Sequence, residues 1–185
     1  MSTQLLLAHR ILFLSEEITT ERANALVASL LLLDADDPGR QIDLYINSPG
    51  GSVRDGLAII DAMHCIEAPV STLCIGTAAS MAAWVLAAGE PGCRFATPHA
   101  EVMIHQVMGG YRGTADDVRI YADRILRDQR HMVEELSRYT GQTIERIQQD
   151  TSRDCFMTPE EAQEYGLIDH IITPRESSAS RIHTR

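Results

Sequence analysis

Ser80 stands at a point in the sequence where a hydroxyl group can serve as a nucleophile. The surrounding run, LCIGTAASMAAWVLAA, predicts a strand over residues 70–75, a short turn, and a helix that begins at or just after Ser80. The N–H groups at the start of a helix are unpaired and carry the positive end of the helix dipole, so they would stabilise an oxyanion formed beside this hydroxyl. Serine is also a common N-cap, and most serines in such turns only cap the helix.

A serine nucleophile needs a base that removes its proton and an acid that orients the base. Of the seven histidines, His105 alone ends an apolar strand that runs into a glycine-rich loop, where functional residues of α/β sheets tend to lie. The alternative for a strand-end histidine is a hydrogen-bonded structural role. For the acid, the chain offers 26 Asp and Glu residues, and their spacing selects none of them.

A second turn, residues 48–51 with the sequence SPGG, follows another predicted strand. Two adjacent glycines let the backbone approach a ligand closely and point N–H groups outward, which suits an oxyanion hole or an anion-binding nest. A tight turn without a ligand is the other explanation of the same pair. The turn matches neither GxxxxGK[ST] nor GxGxxG, so a phosphate-binding loop is disfavoured.

The elements that must position these residues alternate along the chain between strands and helices. Strands are predicted over residues 11–14, 42–46, 70–75, 94–96, 102–105 and 171–173. Helices are predicted from Thr19 or Thr20 to the DADDPGR turn, over residues 53–64, after Ser80, from Thr114 to Gly141, and from Thr158 to Gly166. This alternation predicts an α/β fold with a largely parallel sheet.

The longest predicted helix carries an apolar residue every seven positions, at Val118, Ile125, Met132 and Tyr139. A helix of this length with a narrow apolar seam has more surface than one small domain covers. It either projects toward a neighbouring subunit or packs along the core, and periodicity alone does not decide between the two.

Length and composition predict one domain over residues 1–175 and a mobile tail over residues 176–185, which has no core-forming pattern. The hydrophobic content of 44% is enough for a full core. The four cysteines have no CxxC spacing and lie mostly in apolar surroundings. We therefore expect free and mostly buried thiols, with neither disulfides nor a cysteine-ligated metal.

The net charge of −10 and the isoelectric point near 5.1 argue against a nucleic-acid partner, which would require a basic face. No secretory signal is visible, so we expect a cytoplasmic protein. The uncharged run over residues 68–89 is long enough to span a bilayer, but proline, glycine, serine and threonine interrupt it. A buried strand and helix fit this run better than a membrane span.

Four motifs occur in order along the chain: YINSPGGSV, GTAASMAAW, MIHQVMGGYRG and RDCFMTPEEAQEYGLIDHI. Together they resemble the ClpP family, the proteolytic subunits of the ATP-dependent Clp protease, over nearly the whole chain. The resemblance implies a crotonase-like stack of ββα units with a projecting handle helix. It also implies a catalytic triad of Ser80, His105 and Asp154, with the N–H groups of Gly51 and Met81 forming the oxyanion hole.

The same resemblance implies an assembly and its partners. Family members form two stacked heptameric rings of identical or paralogous subunits and receive unfolded polypeptides from an AAA+ ATPase. ATP is then used by that unfoldase, so no cofactor is expected in this chain. Strands after Gly51 and after His105 would bind the substrate as an added β-strand. The residues implied for substrate binding are Ser52, Val53, Val107 and Met108. Those implied for the unfoldase dock are Tyr45, Phe95 and Ile172, and Arg153 is implied for the contact between rings. The long helix and residues 109–113 would join the rings, which favours projection of that helix.

Several positions depart from the family pattern. Relatives have a longer N-terminal gating segment, whereas this sequence starts almost at the first helix. Asp43 and Cys65 stand where relatives have aromatic residues in the dock, Ser152 replaces an acid beside Arg153, and Val107 replaces a common proline. These departures favour a catalytically equipped paralogue that works in a mixed complex with a more typical subunit.

Two other functions remain open at this stage. One is a structural subunit of such a complex whose triad is present but misaligned or dependent on a partner. The other, which fits less well, is a crotonase-fold enzyme acting on a coenzyme A thioester, which would use an oxyanion hole but would not need a Ser-His-Asp set.

Overall fold

The computed structural model describes residues 2–110 and 112–172. In chain order the elements are α1 (Ser2–Ala8), β1 (Ile11–Leu14), α2 (Thr20–Asp36), β2 (Ile42–Ser48), α3 (Val53–Cys65), β3 (Val70–Ala79), α4 (Met81–Ala87), β4 (Arg94–Ala96), β5 (Glu101–Ile104), α5 (Ala115–Thr140), α6 (Ile144–Asp150), β6 (Cys155–Met157), α7 (Pro159–Tyr165) and β7 (His170–Ile171). The mixed α/β class is confirmed. The predicted tail over residues 176–185 and the last residue of the strand predicted over 171–173 lie outside the described residues.

The sheet is organised around β3, its longest strand. The main order is β1-β2-β3-β4-β7, and all of these neighbours are parallel, as the alternation of elements predicts. The last three residues of β3 pair with β5 in place of β4, while Ala78 stays opposite Ser48 of β2, and β5 in turn pairs antiparallel with β6. The C-terminal end of β3 therefore starts a small branch of the sheet, β3-β5-β6, and this branch holds the candidate site.

Helix α4 lies in the middle of the molecule, and each of its seven residues is buried. It contains no charged residue, which accounts for the uncharged run that precedes and includes it. Within the two described ranges, no helix combines the length and the apolar character needed to cross a membrane.

Helix α5 begins and ends where the sequence predicts. Thr114 and Asp117 form a capping box at its start, and Gly141 ends it in a left-handed conformation. Its buried residues are confined to the segment from Met132 to Leu136. The first half is exposed, with large apolar side chains at Val118, Ile120, Tyr121 and Leu126 open to solvent. The seven-residue seam therefore meets the core only in the later part of the helix, and the first half projects.

A buried arginine fastens the C-terminal ends of three helices. Arg94 is 8% exposed and donates to both carboxylate oxygens of Asp169, at 2.6 and 2.9 Å. The two N–H groups of its Nη1 atom are shared among the carbonyl oxygens of Ala87, Tyr139 and Gly166, at 3.3, 3.0 and 2.9 Å, which lie at the ends of α4, α5 and α7. Carbonyls at helix ends lack partners within their helices, so one guanidinium supplies what three helix ends need.

The cysteines differ from the sequence expectation. All four are free, but only Cys74 is buried, while Cys65 is exposed and Cys93 and Cys155 are half-buried. The expectation of mostly buried thiols was wrong because apolar neighbours in sequence do not fix which way a side chain at an element's end points. Cys65 is the last residue of α3, on the side turned to solvent.

Candidate active site

Ser80 links β3 to α4 in a strained backbone conformation. Its φ is +53°, and among the described non-glycine residues only Arg10 also has a positive φ. Although Ser80 occupies the N-cap position of α4, its side chain makes no capping hydrogen bond. The capping explanation of this serine is therefore wrong. Its Oγ instead lies 2.7 Å from Nε2 of His105.

His105 reaches Ser80 because β5 runs alongside the end of β3. Ala79 pairs with Met103, and the N–H of Ser80 donates to the carbonyl of Met103 at 2.8 Å. His105 follows β5 directly, so the pairing brings its ring to the Ser80 hydroxyl. The side chain of His105 is 10% exposed, so most of the ring is withdrawn from water.

Asp154 completes the cluster through a strand that the sequence analysis did not predict. Strand β6 runs antiparallel to β5 with Ile104 opposite Cys155, which puts Asp154 beside His105. Oδ1 of Asp154 lies 3.4 Å from Nδ1 of His105, and the aspartate side chain is 60% exposed. This separation allows an ion pair but is long for a hydrogen bond. The three side chains lie in the order hydroxyl, imidazole and carboxylate that nucleophilic catalysis requires.

The SPGG turn packs directly against Ser80. A Cβ atom on Gly50, whose φ is +89°, would lie 2.5 Å from the carbonyl oxygen of Ala79 and 2.7 Å from the Cβ of Ser80. Gly51 forms a bridge with Ile18, which fixes the turn from its other side. Gly50 therefore serves the close backbone approach to Ser80 and Met81 that the sequence predicts, and Gly51 approaches Ile18 as closely.

A cleft of about 470 Å³ opens over these residues. The predicted residues Ser80, His105, Asp154, Gly51 and Met81 all line it, as do Val53, Val107 and Met108. Ser52 does not line the cleft, because its hydroxyl caps α3 and its N–H donates to the carbonyl of Ile18. The expected strand after Gly51 is wrong for the same reason, since the chain enters α3 at Val53. Residues 106–110 also form no strand in the described chain.

Other cleft residues were missed by the sequence analysis. Glu17, Trp84, Gln129 and Met132 line the cleft but come from three separate parts of the chain: the loop before α2, helix α4 and helix α5. The sequence around them indicated only an acidic loop residue for Glu17, a core aromatic residue for Trp84, and positions on a long helix for Gln129 and Met132. Among the described residues, no group of three or more His, Cys, Asp or Glu side chains is arranged to hold a metal ion.

The residues predicted for the unfoldase dock share one face of the sheet. Tyr45 and Phe95 both stand opposite Leu73 in the parallel register, and the ring of Phe95 lies 5.5 Å from that of His170. Ile172 lies two residues after His170 and is 41% exposed. Arg153, predicted to contact a second ring, is exposed in the segment between α6 and β6.

Comparison with known proteins adds a family to this geometry. The family described as "Clp protease" matches residues 1–175. A protein from Parasynechococcus marenigrum (strain WH8102), named "ATP-dependent Clp protease proteolytic subunit 2", is 54% identical over 174 residues, covering 94% of this chain and 88% of that protein. A protein of the same name from Synechococcus sp. (strain CC9605) is 53% identical over the same shares.

Proposed function

The chain belongs to the Clp protease family, and from this premise we propose that it is a serine endopeptidase subunit that hydrolyses unfolded polypeptides to short peptides. The family's proteolytic subunits are serine endopeptidases, and the observation that carries the proposal for this chain is the 2.7 Å contact between Ser80 Oγ and His105 Nε2. A hydroxyl released from its capping role and bonded to an imidazole is ready to lose its proton.

In the proposed mechanism, Ser80 Oγ attacks the peptide carbonyl while His105 Nε2 takes the hydroxyl proton. Asp154 holds the imidazole tautomer and stabilises the imidazolium. The N–H groups of Gly51 and Met81 stabilise the oxyanion of the tetrahedral intermediate, where loss of one donor typically costs about 10² to 10³ in kcat. His105 then protonates the departing amine, and water releases the acyl group by the same steps in reverse.

A second candidate function follows from the loose contact of Asp154. Its carboxylate is 60% exposed and 3.4 Å from the imidazole, so the subunit is also compatible with catalysis that starts only after a partner or substrate tightens this contact. Catalytic hydrogen bonds commonly shorten in the substrate complex. A catalytically silent or partner-dependent structural subunit of a mixed Clp complex is the form this alternative takes.

The assembly we propose is a homo- or hetero-oligomer of ClpP-type subunits in stacked heptameric rings. The exposed apolar side chains on the projecting first half of α5 support a contact with another subunit, and exposed Arg153 would take part in the contact between rings. The sheet face that carries Tyr45, Phe95 and Ile172 would receive loops of an AAA+ Clp ATPase, directly or through a paralogous subunit. That ATPase would use the ATP, and the complex would work in the cytoplasm.

The test is reaction of the purified chain with a serine-directed fluorophosphonate, read by intact mass. We expect one adduct per chain that is absent in Ser80→Ala and retained in Ser29→Ala, a serine on α2 whose hydroxyl bonds the carbonyl of Ala25. Labelling only after addition of a co-purified paralogue would favour the partner-dependent subunit. No labelling in either preparation would contradict the peptidase proposal.

A further inference from the structure

Val107 has a backbone N–H that must find a partner outside regular secondary structure. It lies two residues after His105, in a segment that belongs to no helix or strand, and it is half-buried. A proline at this position would have no N–H to pair. A shielded N–H without an acceptor is costly. Here Oε1 of Gln129 accepts this N–H at 2.5 Å.

Gln129 comes from the part of α5 that is fixed to the rest of the site. Immediately before it, Asp128 accepts a hydrogen bond from Arg54 of α3 at 2.6 Å. One turn later, the carbonyl of Met132 accepts the indole N–H of Trp84 of α4 at 2.9 Å. These contacts join α5 to the helix after the SPGG turn and to the helix after the nucleophile. Gln129 adds a third contact, to the segment after the base.

The wall of the cleft after His105 is therefore held from two sides. The N–H of Gln106 donates to the carbonyl of Thr151 at 2.7 Å, which ties the end nearer His105 to the segment before Asp154. The N–H of Val107 donates to Gln129 on α5. The first contact restrains the base, and the second restrains the part of the wall, Val107 and Met108, that we propose meets the substrate.

We propose that Gln129 is a positioning residue: by accepting a hydrogen bond from the backbone N–H of Val107, it holds the Val107–Met108 wall in the position that binds substrate. This inference rests on the proposed peptidase function. Loss of the acceptor would weaken substrate binding but leave the Ser80–His105 contact in place. It should therefore raise KM and leave kcat nearly unchanged.

The test compares Gln129→Met, which keeps the length of the side chain without a strong acceptor, with Gln129→Glu, which keeps an acceptor oxygen. On a short fluorogenic peptide, we expect KM to rise about 3- to 10-fold in Gln129→Met, the size of one lost hydrogen bond, with kcat within about twofold. Gln129→Glu should restore most of the KM. Gln148→Met, on the exposed side of α6, is the control for the same change on a helix surface and should leave both constants unchanged.

A double-mutant cycle with Val107→Pro removes the donor. If the hydrogen bond is the cause, Gln129→Met should have no further effect on KM when proline stands at 107. Additive effects, a fall in kcat without a change in KM, or failure of Gln129→Glu to restore KM would each overturn the inference.

Hydrogen exchange separates failure of this inference from failure of the proposed function. The N–H of Val107 should exchange slowly in the unmodified chain and in Gln129→Glu, and at least about tenfold faster in Gln129→Met, whether or not the chain cleaves peptides. Equal exchange in all three would refute the positioning role even in an active enzyme. An inactive chain with the expected exchange pattern would refute the peptidase proposal alone.

Discussion

Substitution of Gly50 by alanine tests whether the SPGG turn sets the geometry of the nucleophile. A Cβ atom at this position would meet the carbonyl oxygen of Ala79 at 2.5 Å, the Cβ of Ser80 at 2.7 Å and the N of Met81 at 2.9 Å. The first two contacts are with atoms of rigid parts of the site, so the turn and Ser80 must move apart. The displaced groups are the proposed nucleophile and the proposed oxyanion donors.

The expected magnitude has two parts. Alanine at a φ of +89° costs about 1–2 kcal/mol of folding free energy, and the overlap adds about 1–3 kcal/mol. For activity, a shift of about 1 Å in a catalytic group costs about 10²-fold, as does loss of one oxyanion donor. We therefore expect kcat/KM for a fluorogenic peptide to fall by at least about 10²-fold in Gly50→Ala.

Gly92 provides a matched control because its φ is +86° but a Cβ there would have no atom within 4 Å. Gly92→Ala should lose only the backbone part of the stability, about 2–8 °C in Tm for a chain of this size. Its kcat/KM should stay within about twofold of the unmodified protein. Both variants are measured by peptide cleavage and by thermal unfolding at matched protein concentration. Wild-type turnover in Gly50→Ala, or an equal loss in Gly92→Ala, would refute the reasoning.

Three further predictions concern groups away from the cleft. Burial raises the pKa of Asp169, but its hydrogen bonds and charge contact with Arg94 outweigh this and hold the pKa below its usual 3.8. The stability that this ion pair contributes is therefore complete above pH 3.8 and is lost as the pH falls below it. Asp169→Asn should cost about 3 kcal/mol of folding free energy at pH 7 and should flatten the acid side of a curve of Tm against pH. An unchanged acid side of that curve would contradict this prediction. Burial raises the pKa of the Cys74 thiol to about 12. A thiol reagent at pH 8 should therefore modify exposed Cys65 first and Cys74 only after unfolding, as followed by intact mass. Modification of Cys74 before unfolding would contradict its burial in the core. Thr114→Ala removes the capping box of α5 and should cost about 1 kcal/mol of folding free energy. The expected readout is faster amide hydrogen exchange in the first turn of α5. Exchange that becomes faster by the same factor along the whole helix would argue against a local effect of the cap.

The sequence predicts most of the strong local signals. The strand before Ser80 and the helix after it, the close approach of the SPGG turn and the caps at both ends of α5 depend on residue types within a few positions of each other. The turn predicted between that strand and that helix was wrong, because β3 continues as a strand to Ala79. The bounds of α2, α3 and α7 follow for the same reason. Local chemistry and periodicity are sufficient for such features.

Asp154 shows where that reasoning ends. Its position beside His105 depends on the antiparallel pairing of β5 with β6, two strands about fifty residues apart, and β6 has only three residues. So short a segment has no periodicity to detect, and α6, with seven residues, was missed for the same reason. Only the family resemblance selected this aspartate from the acids of the chain. The contact of Gln129 had one sequence signal, the valine at a position where the family resemblance implies proline.

The strained backbone of Ser80 was also beyond prediction from residue types. Serine at a helix start normally indicates a cap, and nothing in the run GTAASM distinguishes a capping serine from one held at positive φ. The difference arises because the end of β3 is pinned to β5 while α4 is packed on every side. Tertiary contacts therefore decide which of the two roles the hydroxyl takes.

The arginine that joins the three helix ends also sets an order of events during synthesis. Arg94 leaves the ribosome long before Asp169, its carboxylate partner, because 75 residues separate them. Until the end of the chain emerges, the guanidinium has no counter-charge, and the ends of α4 and α5 cannot close around it without burying that charge unpaired. A fragment released before residue 169 therefore lacks the carboxylate that pairs with Arg94, and its helix ends remain incompletely packed. Completion of translation and completion of folding are linked through this one ion pair.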